Sequence, residues 1–175
     1  DVLWQGRTWP AAEVLSQLNL QPIAPGAKEG LSLVNGTPCM TGLACLALDD
    51  AERLMDWADV TGAMSFEALR GQLVAFDAEI LALKARPGIQ TSGQRLRELL
   101  AGSRLLAESE GLRTQDALSL RSMPQVHGAC RDQFSHAQTQ INIELNACTD
   151  NPLILGTLEQ WRVVSQAHPH GESVA

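Results

Sequence analysis

Between Gln115 and Val126 the chain reads Gln-Asp-Ala-Leu-Ser-Leu-Arg-Ser-Met-Pro-Gln-Val. Two amides (Gln115, Gln125), one carboxylate (Asp116) and one guanidinium (Arg121) thus share a short polar stretch between two helical patterns. The planar fork of an arginine grips a carboxylate through two parallel hydrogen bonds, which a lysine cannot reproduce. The stretch is therefore suited to holding a small organic acid, although an ordinary polar connector has the same spacing. Pro124 biases Met123 away from helix. A second candidate is Asn35-Gly36-Thr37-Pro38. There Thr37 suits an N-cap and Pro38 a first helical position. Amides at such a helix start can hold an anionic or carbonyl oxygen, and Asn35 adds a side-chain amide beside them. A plain turn followed by a cap accounts for the same residues.

Other reactive side chains point to less. His168, His170 and Glu172 could ligate a metal from one side of an extended segment. Pro169 interrupts that segment and spacing identifies no further ligand, so no metal is expected. His127 and His136 flank an apolar helical stripe and read as packed or surface histidines. No Gly-x-Ser-x-Gly elbow and no phosphate-cradling glycine motif is present. The four cysteines (Cys39, Cys45, Cys130, Cys148) follow no Cys-x-x-Cys spacing. They read as reduced, buried thiols of a cytoplasmic protein.

The elements that must position these groups are mostly helical. Val2–Trp9 around Gln5-Gly6 reads as a hairpin, and Pro10 starts a short helix through Asn19. The stretch 21–28 is a loop. From Thr37-Pro38 a helix runs with Leu43, Leu46, Ala47, Ala51, Leu54, Met55 and Ala58 on one face, and its character continues from Val60 to Arg70. Phe76–Lys84 is helical until Arg86-Pro87-Gly88 stops it. Thr91-x-x-Gln94 is a capping box opening a helix with Leu96, Leu99, Leu100 and Leu106. Glu108–Arg113 reads as a mobile loop. Val126, Cys130, Phe134, Ala137, Ile141, Leu145 and Cys148 recur at steps of three and four, the mark of one long helix. Asp150-Asn151-Pro152 ends it, and Leu153–Leu155 with Trp161–Val164 form a second hairpin.

The bulk properties exclude several classes. At 175 residues the chain suits one domain with a sizeable core. A net charge of −7 gives no electrostatic case for nucleic acid or an anionic membrane surface. No apolar run approaches the roughly 20 residues that cross a bilayer, and no secretory signal is visible. Tyrosine is absent, so few aromatic groups are available for chemistry.

Three of these stretches, taken together, resemble the histidine and aromatic amino-acid ammonia-lyase family. Glu29-Gly30-Leu31-Ser32-Leu33-Val34-Asn35-Gly36-Thr37 is similar to its Glu-Gly-Leu-Ala-Leu-x-Asn-Gly-Thr segment. Gln115–Arg121 with Pro124-Gln125-Val126 is similar to its Gln-Asp-x-Tyr-Ser-Leu-Arg…Pro-Gln-Val run, and Asp150-Asn151-Pro152-Leu153 to its Asp-Asn-Pro-Leu turn. The likeness implies a mainly α fold, a long-helix bundle of the aspartase-like type with two small β-hairpins. Residues 1–175 would then be the central segment of a catalytic domain, without its upstream Ala-Ser-Gly region and its C-terminal part.

The family eliminates ammonia from an α-amino acid, L-histidine or an aromatic one, to give an α,β-unsaturated acid. It uses a 4-methylideneimidazole-5-one group formed from an Ala-Ser-Gly triplet that this sequence does not contain. The resemblance assigns Arg121 to the substrate carboxylate. It puts Asn35 beside the prosthetic group and the amino-acid moiety, and gives Gln115 a hydrogen-bonding role around the same group. It also implies a homotetramer in the intact parent and no turnover by this segment alone. Two positions depart from the family pattern: Leu118 replaces its tyrosine and Pro169 its phenylalanine. These departures leave room for an aminomutase, for a lyase acting on another aromatic amino acid, or for a non-catalytic helical scaffold.

Overall fold

Gln5 and Gly6 both take positive φ, 49° and 77°, the two-residue turn that matches the twist of a hairpin. In this computed structural model, which describes residues 1–157 and 159–166, they join β1 (Val2–Trp4) to β2 (Arg7–Trp9) with Leu3 opposite Thr8. Next come α1 (Ala11–Gln17), α2 (Glu29–Ser32) and α3 (Pro38–Ala68). A 3₁₀ turn (Leu73–Phe76) leads into α4 (Ala78–Ala82) and α5 (Pro87–Leu99). Then follow α6 (Arg104–Ala107), α7 (Leu118–Arg121), α8 (Met123–Leu145), β3 (Leu153–Gly156) and β4 (Trp161–Val164). The class is mainly α with two small antiparallel hairpins, as the sequence indicates.

The chain forms two compact units, one of Asp1–Gly36 with residues 150–166, the other of Thr37–Thr149. In the first, Pro10 is the N-cap of α1 rather than part of its first turn, and Val14 is the residue α1 buries. The helix ends at Gln17, two residues before the expected Asn19, which has left-handed φ. Lys28, also left-handed, opens the single turn α2. The β3–β4 pairing puts Leu153 opposite Val164 and Gly156 opposite Trp161. At Gly156 a Cβ would lie 2.0 Å from the Gln160 carbonyl oxygen, so only glycine fits.

In the second unit α3, α5 and α8 pack on one another. Their core joins Ala63, Phe66, Phe76, Leu96, Leu100, Leu106 and Met123, with the Phe66 and Phe76 rings 4.6 Å apart. Helix α3 is continuous over 31 residues, but its buried stripe is Thr41, Met55, Asp59, Ala63 and Phe66. Of the expected face, Met55 is buried and Ala51 and Ala58 are half-buried, but Leu43, Leu46, Ala47 and Leu54 are exposed. The hydrophobic pattern of α3 holds leucines on more than one side, so periodicity alone picks the wrong phase.

Proline placement accounts for two further corrections. Pro87 opens α5 instead of stopping a helix, because its missing N–H falls where no intrahelical partner exists. Thr91 then lies inside α5, its hydroxyl donating to the Pro87 carbonyl at 3.1 Å, and is no capping residue. Helix α5 also stops at Leu99. Gly102, at φ 76°, breaks the chain before α6, which Ser103 caps through the Leu106 amide, so Leu106 belongs to a separate turn. The Phe76–Lys84 helix shrinks to α4, capped by the Asp77 carboxylate. The 108–113 loop is tied down: the Gln72 side chain donates to Ser109 O at 2.7 Å and accepts Gly111 N at 3.0 Å. Finally, Cys39, Cys130 and Cys148 are exposed and Cys45 half-buried, against the buried thiols expected; Cys148 lies beyond the end of α8 at Leu145.

Candidate active site

The Gln115 stretch lies wholly in the second unit, pinned at its start by Asp116. That carboxylate is buried and accepts the Gln72 backbone amide at 2.5 Å, while Arg113 Nη2 lies 3.1 Å from its other oxygen. Gln115 itself is exposed and its amide has no hydrogen-bond partner among the described residues. Leu118 to Arg121 form the single turn α7, and α8 follows almost without a break. Met123 is helical, against expectation, because Pro124 sits in the first turn of α8, where proline costs nothing, and is itself fully buried. The helix therefore begins at Met123 and ends at Leu145, three residues ahead of the expected Val126 to Cys148.

Arg121 stands at the end of α7. Among the described residues, the other partly buried cations all have protein partners. Lys28 meets Asp150, Arg95 and Arg131 meet Asp56 and Asp59, and Arg97 donates to the Phe76 carbonyl at 2.7 Å. Arg121 has none, and its Nε is buried without an acceptor. Gln125, four residues on, likewise has a buried carbonyl oxygen without a donor. A partly desolvated guanidinium left unpaired is costly, so its position favours an incoming anion.

The most buried charge in the unit lies elsewhere. Asp59 of α3 is 0% exposed and joins two guanidinium groups and an imidazole. His127 Nδ1 sits 2.8 Å from its Oδ1, while Arg131 Nη2 at 2.7 Å and Arg95 Nε at 3.2 Å donate to its Oδ2. Arg131 also donates to Ser92 Oγ at 3.1 Å and Asp56 Oδ1 at 2.9 Å. Burial alone would raise the Asp59 pKa; the hydrogen bonds from His127 and Arg131 outweigh it and hold the carboxyl below its ordinary value. Burial would likewise weaken the Arg131 charge, but its bonds to Asp59 and Asp56 raise its pKa instead. Sequence reading left His127 as an ordinary histidine and missed Asp59. The signal was an aspartate in helical register with Met55, Ala63 and Phe66, hidden by the wrong choice of face on α3.

Asn35 lies in the first unit, and its amide is fully engaged there. Nδ2 donates to Asp150 Oδ1 and to the Asn151 carbonyl, both at 2.7 Å. Asp150 also pairs with Lys28 and accepts from Ser32 Oγ at 3.1 Å and its neighbour Asn151 N at 2.7 Å. The Lys28 bond, with those from Asn35, Asn151 and Ser32, outweighs desolvation and brings its pKa down to about 2. The expected open amide at Asn35 is thus a tether to the Asp-Asn-Pro turn, leaving its carbonyl oxygen as the group it can offer. Thr37 does not cap α3 with its side chain. Its hydroxyl bonds Glu144 and its amide donates to Thr149 Oγ1 at 3.0 Å.

The cavities of the second unit include two candidates for the site. One of about 420 Å³ is lined by Asp56, Gly88, Arg131, Asp132 and Phe134, and one of about 710 Å³ by Gln72, Arg97, Leu100, Leu106 and Glu110, among others. Neither includes Gln115 or Arg121. Leu118 is 65% exposed. His168, Pro169, His170 and Glu172 lie outside the described residues. Among the described residues no group of three His, Cys, Asp or Glu is arranged to hold a metal. No described helix is long and apolar enough to cross a membrane.

Comparison with known proteins adds to this geometry. The family model described as aromatic amino acid lyase matches residues 1–175. The histidine ammonia-lyase of Chloroflexus aurantiacus is 44% identical over 179 residues, covering 100% of this chain and 34% of that protein. The crystal structure of Trypanosoma cruzi histidine ammonia-lyase superimposes with a TM-score of 0.76 at 36% identity, covering 93% of this chain and 29% of that one. Pantoea agglomerans phenylalanine aminomutase gives a TM-score of 0.82 at 32% identity, over 98% of this chain and 36% of its own. The chain spans about a third of the length of the curated relatives it matches.

Proposed function

The chain belongs to the aromatic amino acid lyase family, and from this premise we propose that it is the central segment of a cytoplasmic, tetrameric enzyme removing ammonia from L-histidine. The observation that carries the reading is Arg121, the partly buried cation without a protein partner among the described residues. A substrate α-carboxylate supplies the missing acceptor, held bidentately where water is partly excluded. L-Histidine is favoured as substrate because the curated relatives are histidine ammonia-lyases at 38–45% identity.

The family's 4-methylideneimidazole-5-one supplies the electrophile that activates the amino acid toward loss of ammonia. The chain's own residues fit such a group. The Gln115 amide, exposed and unbonded among the described residues, is free to hydrogen-bond it. Asn35 offers its carbonyl oxygen, since both amide hydrogens are held by Asp150 and Asn151. Asn35 then accepts a hydrogen bond from the substrate's ammonium and does not donate one to the group. The 175-residue segment alone, having no Ala-Ser-Gly triplet, gives no turnover in this reading.

The test is ammonia release from histidine, phenylalanine and tyrosine by the full-length protein, with and without Arg121→Ala. Loss of a buried charge partner costs kcat/KM about 100-fold or more. An unaltered rate in the variant would reject the assignment. A second reading, aminomutase activity, draws on the exposed Leu118 at the family's tyrosine position and on the aminomutase likeness. Conversion of an α- to a β-amino acid without net ammonia release would favour it.

A further inference from the structure

Arg121 lies between two anchors, and both lead back to α3. Five residues before it, Asp116 is fastened to the Gln72 amide, just beyond the end of α3. Six residues after it, His127 is fastened to Asp59, within α3. The backbone between is stiff: Ser122 N donates to Leu118 O and Val126 N to Ser122 O, both at 3.0 Å, so the helical bonding runs from α7 into α8. A shift of α8 at His127 is therefore carried to Arg121 within two turns.

An apolar side chain at position 59 would fill the same space more cheaply, because a carboxylate with no exposure forfeits its hydration. What the charge adds is direction. Bonds from His127 and Arg131 on α8, and from Arg95 on α5, fix α8 against sliding and rotation, which apolar contact alone tolerates. The close approach of α3 and α8 works to the same end: a Cβ on Gly62 would lie 2.8 Å from Met123 Sδ.

We propose that Asp59 is a positioning residue for Arg121, holding through His127 the start of α8 where the Arg121 guanidinium meets the substrate carboxylate. The inference rests on the lyase reading. Asp59 touches no substrate; it sets where the carboxylate is held.

The experiment is a double-variant cycle in the full-length enzyme with Asp59→Asn, Arg121→Lys and the pair. Asp59→Asn raises KM for the amino acid roughly tenfold, with a smaller change in kcat. It leaves inhibition by the decarboxylated amine, which has no carboxylate to place, unchanged. In the Arg121→Lys background the same substitution adds less than twofold. Equal losses in both backgrounds, or a parallel loss of amine binding, would overturn the proposal and leave Asp59 a purely structural charge. Should Asp59→Asn fail to fold, His127→Ala, which leaves Asp59 its two arginines, carries the same cycle with the same criteria. If Arg121→Ala leaves turnover unaltered, the lyase reading fails and takes this inference with it; if that variant is impaired but the cycle is additive, only the inference fails.

Discussion

The Asp116 carboxylate accepts the backbone amide of Gln72 at 2.5 Å, across 44 residues of sequence. It thereby joins the start of the candidate substrate-binding stretch to the residue that opens the 3₁₀ turn, four positions past the end of α3. Gln72 is a junction in its own right, since its side chain also holds the 108–113 loop from both ends of its amide.

Replacing Asp116 by alanine strands the buried Gln72 amide and removes the ion-pair partner of Arg113, which keeps its bonds to the Leu69 and Arg70 carbonyls. An unsatisfied buried donor costs about 1–3 kcal/mol, and the variant is expected to lose stability by that amount. Because Gln115 and Arg121 are positioned from this point, kcat/KM falls as well. Chemical denaturation of the full-length protein, read beside its turnover, checks both effects. Unchanged stability would mean that the contact is not maintained in solution.

At Asn35 the direction of hydrogen bonding sets the expected order of variants. Alanine removes two bonds to the Asp-Asn-Pro turn. Aspartate is isosteric, but it places a second carboxylate against Asp150 and offers no donor to the Asn151 carbonyl. Asn35→Asp should therefore be the less stable of the two, a difference that thermal melts of both variants would reveal. The reverse order would show that these two contacts are not maintained in solution.

The sequence made some of this legible and hid the rest, for identifiable reasons. Both hairpins could be read because Gln5-Gly6 and the alternating strand residues are local signals. Arg121, Gln115 and Asn35 stood out through motif resemblance, which carries information about a parent protein that spacing does not. The tether from Asn35 to Asp150 was not legible, since it spans 115 positions and involves residues that each suit an ordinary turn. Asp59 was missed because leucines at 43, 46 and 54 outcompeted the true buried stripe of α3. Those leucines are exposed in this chain, so counting apolar residues favoured a face that does not pack here.

Acid should act on the first unit through Asp150. The Lys28 bond, with those of Asn35, Asn151 and Ser32, brings its pKa from the ordinary 3.8 down to about 2. A carboxyl depressed on folding stabilises the folded state fully above its unfolded value. That contribution is lost as pH falls through the folded value, because the unfolded chain takes up the proton first. The window is therefore pH 4 to 2. Carbonyl-detected NMR titration of Asp150 should show it ionised at pH 3, and Asp150→Asn should flatten the stability profile across that window. A midpoint near 3.8 would show that the Lys28 pair does not form.

The closest helix crossing gives the sharpest packing prediction. At Gly128 of α8 a Cβ would stand 2.4 Å from the Ile89 amide nitrogen and 2.6 Å from the Gly88 carbonyl carbon. These are backbone atoms of α5, so no side-chain rotation relieves the clash. Gly88 is equally constrained, its Cβ falling 2.1 Å from the Gly128 carbonyl oxygen. Alanine at position 128 must push α5 away from α8. Overpacking of this kind costs about 1–3 kcal/mol. The displacement also strains the bonds that Arg131 makes to Ser92 on α5 and Asp59 on α3, one turn further along α8. Gly128→Ala should thus lower stability and raise KM together, whereas alanine at Gly42, whose Cβ would meet nothing within 4 Å, should do neither. Comparing the two variants in one denaturation and kinetic series separates the crossing from the general gain in helix propensity that alanine brings.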